Sequence, residues 1–203
     1  VSSRLLTESG LSPLFAFTFS DEISCYFPTL PFRGRVEKVD SVLASFAASS
    51  LTIALKAQHP LSFDARVILA TPGYTREYLA QRQREAWRNH VNAYCQEALL
   101  QGGLSPSAVA GRLSGMRSEE LHELMFSRGV NLAKTPAWQR RGILVYRKPE
   151  TKPGYDPSTG ETVEATRRPV TEPALKATLR AGLIPPRAAS AVRTFESTAT
   201  FMP

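Results

Sequence analysis

The chain of 203 residues carries 25 Lys and Arg against 18 Asp and Glu, which gives a formal charge of +7 and a pI near 9.7. An apolar share of 42% and a charged share of 21% exclude general disorder, and the length suits one domain or one domain with an appendage. No apolar run approaches the roughly 18 residues a membrane helix needs, and no signal peptide opens the chain.

Val1 to Ser9 reads as the last turns of a helix, with Gly10 as its stop. With no initiator Met, this predicts a fragment whose first helix begins upstream. Leu14-Phe-Ala-Phe-Thr-Phe19 alternates, with Phe15, Phe17 and Phe19 on one face, and Ile23 to Phe27 alternates again after Ser20-Asp21-Glu22. Two period-two runs around a short polar break predict a β-hairpin, closed by Pro28 and Pro31. Helical spacing of Val36, Val39, Leu43, Phe46 and Ile53 predicts a helix to about Ala57, its small middle residues suited to close packing on a sheet. Ala65 to Ala70 reads as a buried strand and Thr71-Pro-Gly73 as its turn.

A long helix is predicted from about Thr75 to Gln101, stopped by Gly102-Gly103. Ser105-Pro106 has the form of an N-cap followed by Pro at the first helical position, for a short helix to Gly115. Glu119 and Glu120 suit the first turn of another helix, from Ser118, which Gly129 ends. Ile143 to Tyr146 is a strand. Beyond Pro149, Pro, Thr, Gly and Ala predict a turn from Tyr155 to Glu161 in a possible hairpin, then a weakly ordered tail. The predicted fold class is α+β: an antiparallel sheet backed by helices, with a helical C-terminal extension. Cys25 and Cys95 form neither a disulfide framework nor a zinc spacing, which fits a reducing cytoplasm. The basic excess points towards a polyanion.

Several catalytic signatures are excluded. There is no dinucleotide fingerprint or Walker loop. His122-Glu123-Leu-Met-Phe126 lacks the second His of a zinc protease helix. Three features carry chemistry. Asp21 and Glu22 put adjacent carboxylates at the end of a rigid hairpin, where phosphoryl and nucleotidyl transfer needs hard-metal ligands; on composition alone a solvated turn, where Asp is a favoured residue, is the simpler account. Arg35 and Lys38 share a helix face near its N-terminus, where cations oppose the dipole unless an anion is bound. Adjacency in sequence predicts that these cations reach a triphosphate held at Asp21. Finally, Arg82, Arg88, Asn89 and His90 on the long helix, with Trp138-Gln-Arg140-Arg141, interleave cations, amides and aromatics as an RNA-backbone surface would. Glu77 and Glu85 leave a salt-bridged helix surface as the alternative.

Phe19-Ser-Asp-Glu22, Phe32 to Lys38, Phe63-Asp64-Ala65-Arg66-Val67 and Arg82-Gln83 are followed by Gly103-Leu-Ser-Pro106, His122 to Phe126, Gly129-Val-Asn131 and Arg140-Arg-Gly142. In this order the blocks resemble the tRNA-histidine guanylyltransferase family, especially its archaeal-type guanylyltransferase-like branch, over roughly residues 5–148. The resemblance implies a polymerase palm-like (ferredoxin-like) sheet. Residues 1–73 would form part of the catalytic palm without its N-terminal strand. Residues 74–148 would complete the core and an RNA-facing surface, and 149–203 would be a hairpin or tail.

It further implies 3′-to-5′ nucleotide addition to the 5′ end of tRNA, after activation of that end by GTP or ATP, with two Mg²⁺ ions. A homotetramer is expected, with no membrane partner. Asp21 matches a metal-binding catalytic carboxylate and Glu22 its acidic neighbour; Ser20, Arg35 and Lys38 match triphosphate-binding positions. Arg82, Arg88, Asn89, His90, Arg140 and Arg141 would face RNA. Three departures matter. The family's other metal carboxylate, in R-x-D-G-R-x-F ahead of the first helix, is absent, so this chain by itself is expected to bind metal poorly. Asn89 matches the family's H-I-N-N-L-Y-N but the preceding His does not, which favours templated 5′-end repair over strict tRNA-histidine guanylylation. Leu121 replaces a Lys. The rival expectation is a non-catalytic RNA-binding module on the same fold.

Overall fold

The computed structural model describes residues 1–148, 150–167, 169–171, 192–196 and 199–200. In chain order these form α1 (Ser2–Thr7), β1 (Phe15–Phe19), β2 (Glu22–Phe27), α2 (Val36–Leu55), β3 (Ser62–Phe63), β4 (Arg66–Ala70) and α3 (Pro72–Gln101). Then follow α4 (Pro106–Leu113), α5 (Ser118–Phe126), α6 (Ala137–Arg141), β5 (Ile143–Arg147), β6 (Glu150–Tyr155), β7 (Thr162–Arg167), β8 (Val170–Thr171), β9 (Val192–Glu196) and β10 (Ala199–Thr200). The chain divides into two compact units, Val1–Arg76 with Ile143–Pro203, and Glu77–Gly142.

The first unit is built on a sheet of order β4-β9-β2-β1-β5-β8 in which every neighbouring pair is antiparallel. Alternation in β1 and β2 divides its faces. Ala16, Ile23, Cys25 and Phe27, with Val145 of β5, meet Leu5 and Leu6 of α1 and Val39 and Leu43 of α2. On the other face Phe15, Phe17, Tyr26 and Leu144 are buried, and the Phe15 and Tyr26 rings stack at 4.9 Å. Full burial of each such side chain contributes about 1.5–3 kcal/mol. On α2 the buried positions are Val39, Leu43, Ala47 and Ser50, one helical stripe whose later members are small enough to let the helix approach the sheet. The absence of a membrane-length apolar helix expected from sequence needs correcting. An 18-residue window of α2 has a mean hydropathy of 1.3, long and apolar enough to cross a bilayer by composition alone, although its buried stripe packs on this sheet.

The predicted hairpin forms with a shorter turn. Phe19 pairs with Glu22, so only Ser20 and Asp21 lie outside the strands. Thr71-Pro-Gly73 is not a turn: Pro72 opens α3, and the Thr71 hydroxyl accepts from the Tyr74 amide at 3.2 Å, because Pro at a helix start loses no needed donor. The hairpin around Tyr155 to Glu161 forms as β6 and β7. The tail is not uniformly unstructured, since 192–196 pairs with both β2 and β4; residues 172–191, 197–198 and 201–203 of that region lie outside the described residues.

The second unit is helical. Val91, Cys95, Leu121, Met125 and Leu132 form its core, with Trp87, Tyr94, Leu113 and Leu124 packed around. Its punctuation follows the sequence. Gly103 takes φ 86 at the end of α3, while the Leu104 amide returns to the Leu99 carbonyl. Ser105 caps α4 through the Ala108 amide at 3.3 Å. As predicted, α5 starts at Ser118, and its N-cap Arg117 has its amide bonded to Glu120 at 2.7 Å. The helical segment predicted as a C-terminal extension is followed in the chain by β5, so it is an insertion between strands.

Candidate functional site

The tip of the β1–β2 hairpin is held in an unusual conformation. Ser20 adopts φ 50, at the first central position of a two-residue turn where glycine is normally preferred. Thr18 donates from its hydroxyl to the Glu22 carbonyl at 2.8 Å and so clasps the strands beneath the turn. Asp21 is exposed and lines a cavity of about 450 Å³ with Val1, Ser2, Thr18, Ser20, Ile23, Leu51 and Phe63. The walls are apolar, while the Asp21 carboxylate and the Ser20 and Thr18 hydroxyls supply hard oxygen atoms. Such a donor set suits Mg²⁺, which binds through one or two carboxylates and completes its shell with water and phosphate. Among the described residues no three His, Cys, Asp or Glu side chains cluster to hold a metal unaided. Glu22 opens β2, and strand alternation sends its side chain to the face opposite Ile23; it does not line the cavity.

Arg35 and Lys38 are exposed at the other end of α2. Phe32, Arg33 and Gly34 all have left-handed φ (56, 57 and 83), which turns the chain sharply into Arg35, the N-cap of the helix. Lys38 Nζ sits 4.9 Å from the Phe32 ring centroid, a cation–π contact that holds the side chain near this turn. Leu51, which lines the Asp21 cavity, lies thirteen residues after Lys38 on the same helix. At 1.5 Å per residue that is about 20 Å along the axis. The predicted clamp around Asp21 is therefore corrected. Hairpin and helix adjoin in sequence, but they adjoin at the end of β2 remote from its tip, and the two cations form a second locus.

The second unit sorts the predicted RNA contacts. Arg88 and Asn89 are exposed on α3. His90 is only 6% exposed, so it cannot face RNA; its Nε2 lies 2.9 Å from the Thr135 hydroxyl. That hydroxyl spends its proton on the Leu132 carbonyl at 2.6 Å, so His90 Nε2–H is the donor in the pair. Burial holds the His90 pKa below its usual 6.5, opposed by a backbone hydrogen bond at Leu132 and assisted by the Arg140 charge. Arg82 is also largely engaged within the fold, ion-paired to Glu85 and placed over the Tyr78 ring at 5.6 Å. Arg140 donates from Nε to the Thr135 carbonyl at 2.8 Å, which ties part of its guanidinium to the chain. Arg141 is half-exposed.

Sequence reasoning missed Thr18, Leu51 and Phe63 as cavity residues, and Thr135, Gln139 and Tyr94 as the frame of the second unit. The Tyr94 hydroxyl bonds Gln139 Oε1 at 2.7 Å across forty-five residues, a pairing no local pattern announces. For Thr18 a signal existed, since a polar side chain beside a hairpin turn is placed to bond its backbone.

Residues 1–71 match the family model of tRNAHis guanylyltransferase. A probable tRNA(His) guanylyltransferase of Mus musculus is 30% identical over 150 residues, 68% of this chain and 50% of that protein. The tRNA(His) guanylyltransferase of Saccharomyces cerevisiae is 28% identical over 151 residues, covering 68% of this chain and 64% of the relative. The chain thus spans about half the length of the mammalian relatives it matches. The crystal structure of the yeast protein superposes with a TM-score of 0.59 at 24% identity, over 80% of this chain and 72% of the other. In sequence through residues 1–71, and in α+β fold over 80% of its length, the chain is similar to tRNAHis guanylyltransferases.

Proposed function

We propose that the protein adds nucleotides in the 3′-to-5′ direction to the 5′ end of a tRNA, as a nucleotidyltransferase on a polymerase palm-like sheet. The observation that carries this reading is Asp21, an exposed carboxylate on a clasped hairpin tip that lines a cavity beside two hydroxyls. A nucleoside triphosphate such as GTP or ATP is the substrate class, and its triphosphate lies against Ser20 and Asp21. Asp21 holds Mg²⁺ there, which when bound neutralises charge on phosphate oxygens. Thr18 and the left-handed Ser20 fix the carboxylate in advance, so that little reorganisation is needed as charge develops. Ile23, Leu51 and Phe63 exclude water from one side of the cavity. Arg35 and Lys38 hold a second anionic group, and Arg88, Asn89 and Arg141 contact the RNA backbone. Self-association as a tetramer and a reducing, cytoplasmic setting complete the proposal; the latter is supported by two buried, unpaired thiols.

The test is Mg²⁺- and triphosphate-dependent extension of a 5′-truncated tRNA by the intact enzyme carrying Asp21→Ala. Extension should drop at least about 100-fold, by analogy with loss of a group that stabilises charge in the transition state, while the melting curve stays in place. Undiminished extension would remove Asp21 from the chemistry. Salt-sensitive tRNA binding by the wild type without any incorporation would favour a non-catalytic RNA-binding role.

A further inference from the structure

We propose that Trp138 is a stacking platform for an unpaired RNA base, with Arg141 neutralising the adjoining phosphate. The inference deepens the RNA-binding part of the reading above and rests on it. Trp138 is 58% exposed and so presents the large aromatic face of an indole to solvent. It stands on α6, a single helical turn whose other side is fixed. Gln139 accepts from the Tyr94 hydroxyl, Arg140 donates to the Thr135 carbonyl, and the Thr135 hydroxyl is hydrogen-bonded to His90 Nε2. The Gly142 amide closes the turn on the Trp138 carbonyl at 2.9 Å, and Gly142 then leaves the helix at φ 71.

With Gln139 and Arg140 held by the fold, Trp138 and Arg141, three positions apart, share the remaining face. An aromatic face mounted rigidly beside a cation is what a single-stranded base with its phosphate fits, because every base has a π-face and none needs a specific edge contact. Charge favours this occupant: from Leu124 to Gly142 the chain holds Arg128, Lys134, Arg140 and Arg141 and no acid. A protein partner would more usually meet an indole within a broader apolar surface. The base recognised is thus one outside a duplex, at an RNA end or in a loop.

The experiment measures binding of two RNA hairpins by fluorescence anisotropy, identical except that one ends in four unpaired nucleotides and the other is blunt. The full chain should prefer the overhang. Trp138→Ala and Trp138→Leu should each weaken overhang binding roughly 10-fold, within the range for loss of one base–aromatic stack, and leave the blunt hairpin unaffected. Trp138→Phe should restore most of the preference, since it keeps the π-face that Leu lacks. Arg141→Ala should weaken both RNAs and lower the salt slope by about one. Equal binding of the overhang by wild type and Trp138→Leu would overturn the proposal, as would equal loss on both hairpins. If the wild type binds neither hairpin, the RNA-binding reading itself fails.

Discussion

The hairpin tip of the first unit and the α3–α6 clasp of the second use similar polar side chains to opposite ends. At the tip, Thr18 bonds backbone so that Ser20 and Asp21 stand exposed at a cavity. In the clasp, Thr135 bonds backbone beside the buried His90, while Trp138 stands exposed and Arg141 half-exposed on α6. A hydroxyl against a carbonyl costs little in either place. What differs is the group it positions, an exposed carboxylate lining a cavity in one unit and a packing element in the other. The two should therefore respond differently to substitution.

The largest effect is expected beneath the tip. Phe17 is 1% exposed on β1, with its ring 5.9 Å from that of Phe19. Phe17→Ala should cost about 3–5 kcal/mol, read as a lowered urea midpoint, because the cavity it leaves is enclosed by strands on both sides. A loss below about 1 kcal/mol would mean that this face of the sheet is not the rigid mount inferred for Asp21.

The hairpin was legible for the same reason that Phe17 is sensitive: alternation of Phe15, Phe17 and Phe19 reports a buried face directly. Helix ends were legible too, since Ser105, Gly103 and Gly129 are chosen for local backbone demands. What was not legible depends on contacts distant in sequence. Pairing of β9 with β2 and β4 joins segments more than a hundred residues apart. The burial of His90 is set by Thr135, which the pattern of the long helix cannot announce. Arg35 and Lys38 do lie at the start of α2, Arg35 as its N-cap rather than within a helix face, but the direction in which that helix runs carries them away from Asp21. Charge type was readable, whereas reach was not.

An intermediate effect is expected in the clasp. Thr135→Val keeps the shape but removes the hydroxyl that bonds both His90 Nε2 and the Leu132 carbonyl, at a cost of about 1–3 kcal/mol. His90 also sets a pH dependence. Its folded pKa lies below the unfolded value near 6.5, so the unfolded state takes up the proton first. Stability from this group is complete above pH 6.5 and is lost as pH falls through the folded value. The wild type should lose melting temperature between pH 7 and 5.5, and His90→Gln should flatten that slope even if it melts lower throughout. Parallel slopes in the two proteins would show that His90 does not control the clasp.

The smallest effect on stability should be at Ser20, and its sign is informative. A non-glycine residue at φ 50 costs on the order of 1 kcal/mol, whereas glycine has no such penalty but gains entropy in the unfolded chain. Ser20→Gly should therefore leave the melting temperature unchanged or raise it by a few degrees, and Ser20→Val should lower it, because a β-branched side chain tolerates this conformation least. If the Ser20 hydroxyl binds triphosphate as proposed, Ser20→Gly of the intact enzyme should nevertheless lose nucleotide addition, mainly through a higher KM for the triphosphate. Stability and activity would then move in opposite directions at one residue, the mark of a side chain retained for ligand rather than for the fold. Full activity in Ser20→Gly would instead make the serine a turn residue only and leave Asp21 as the sole ligand-binding group of the tip.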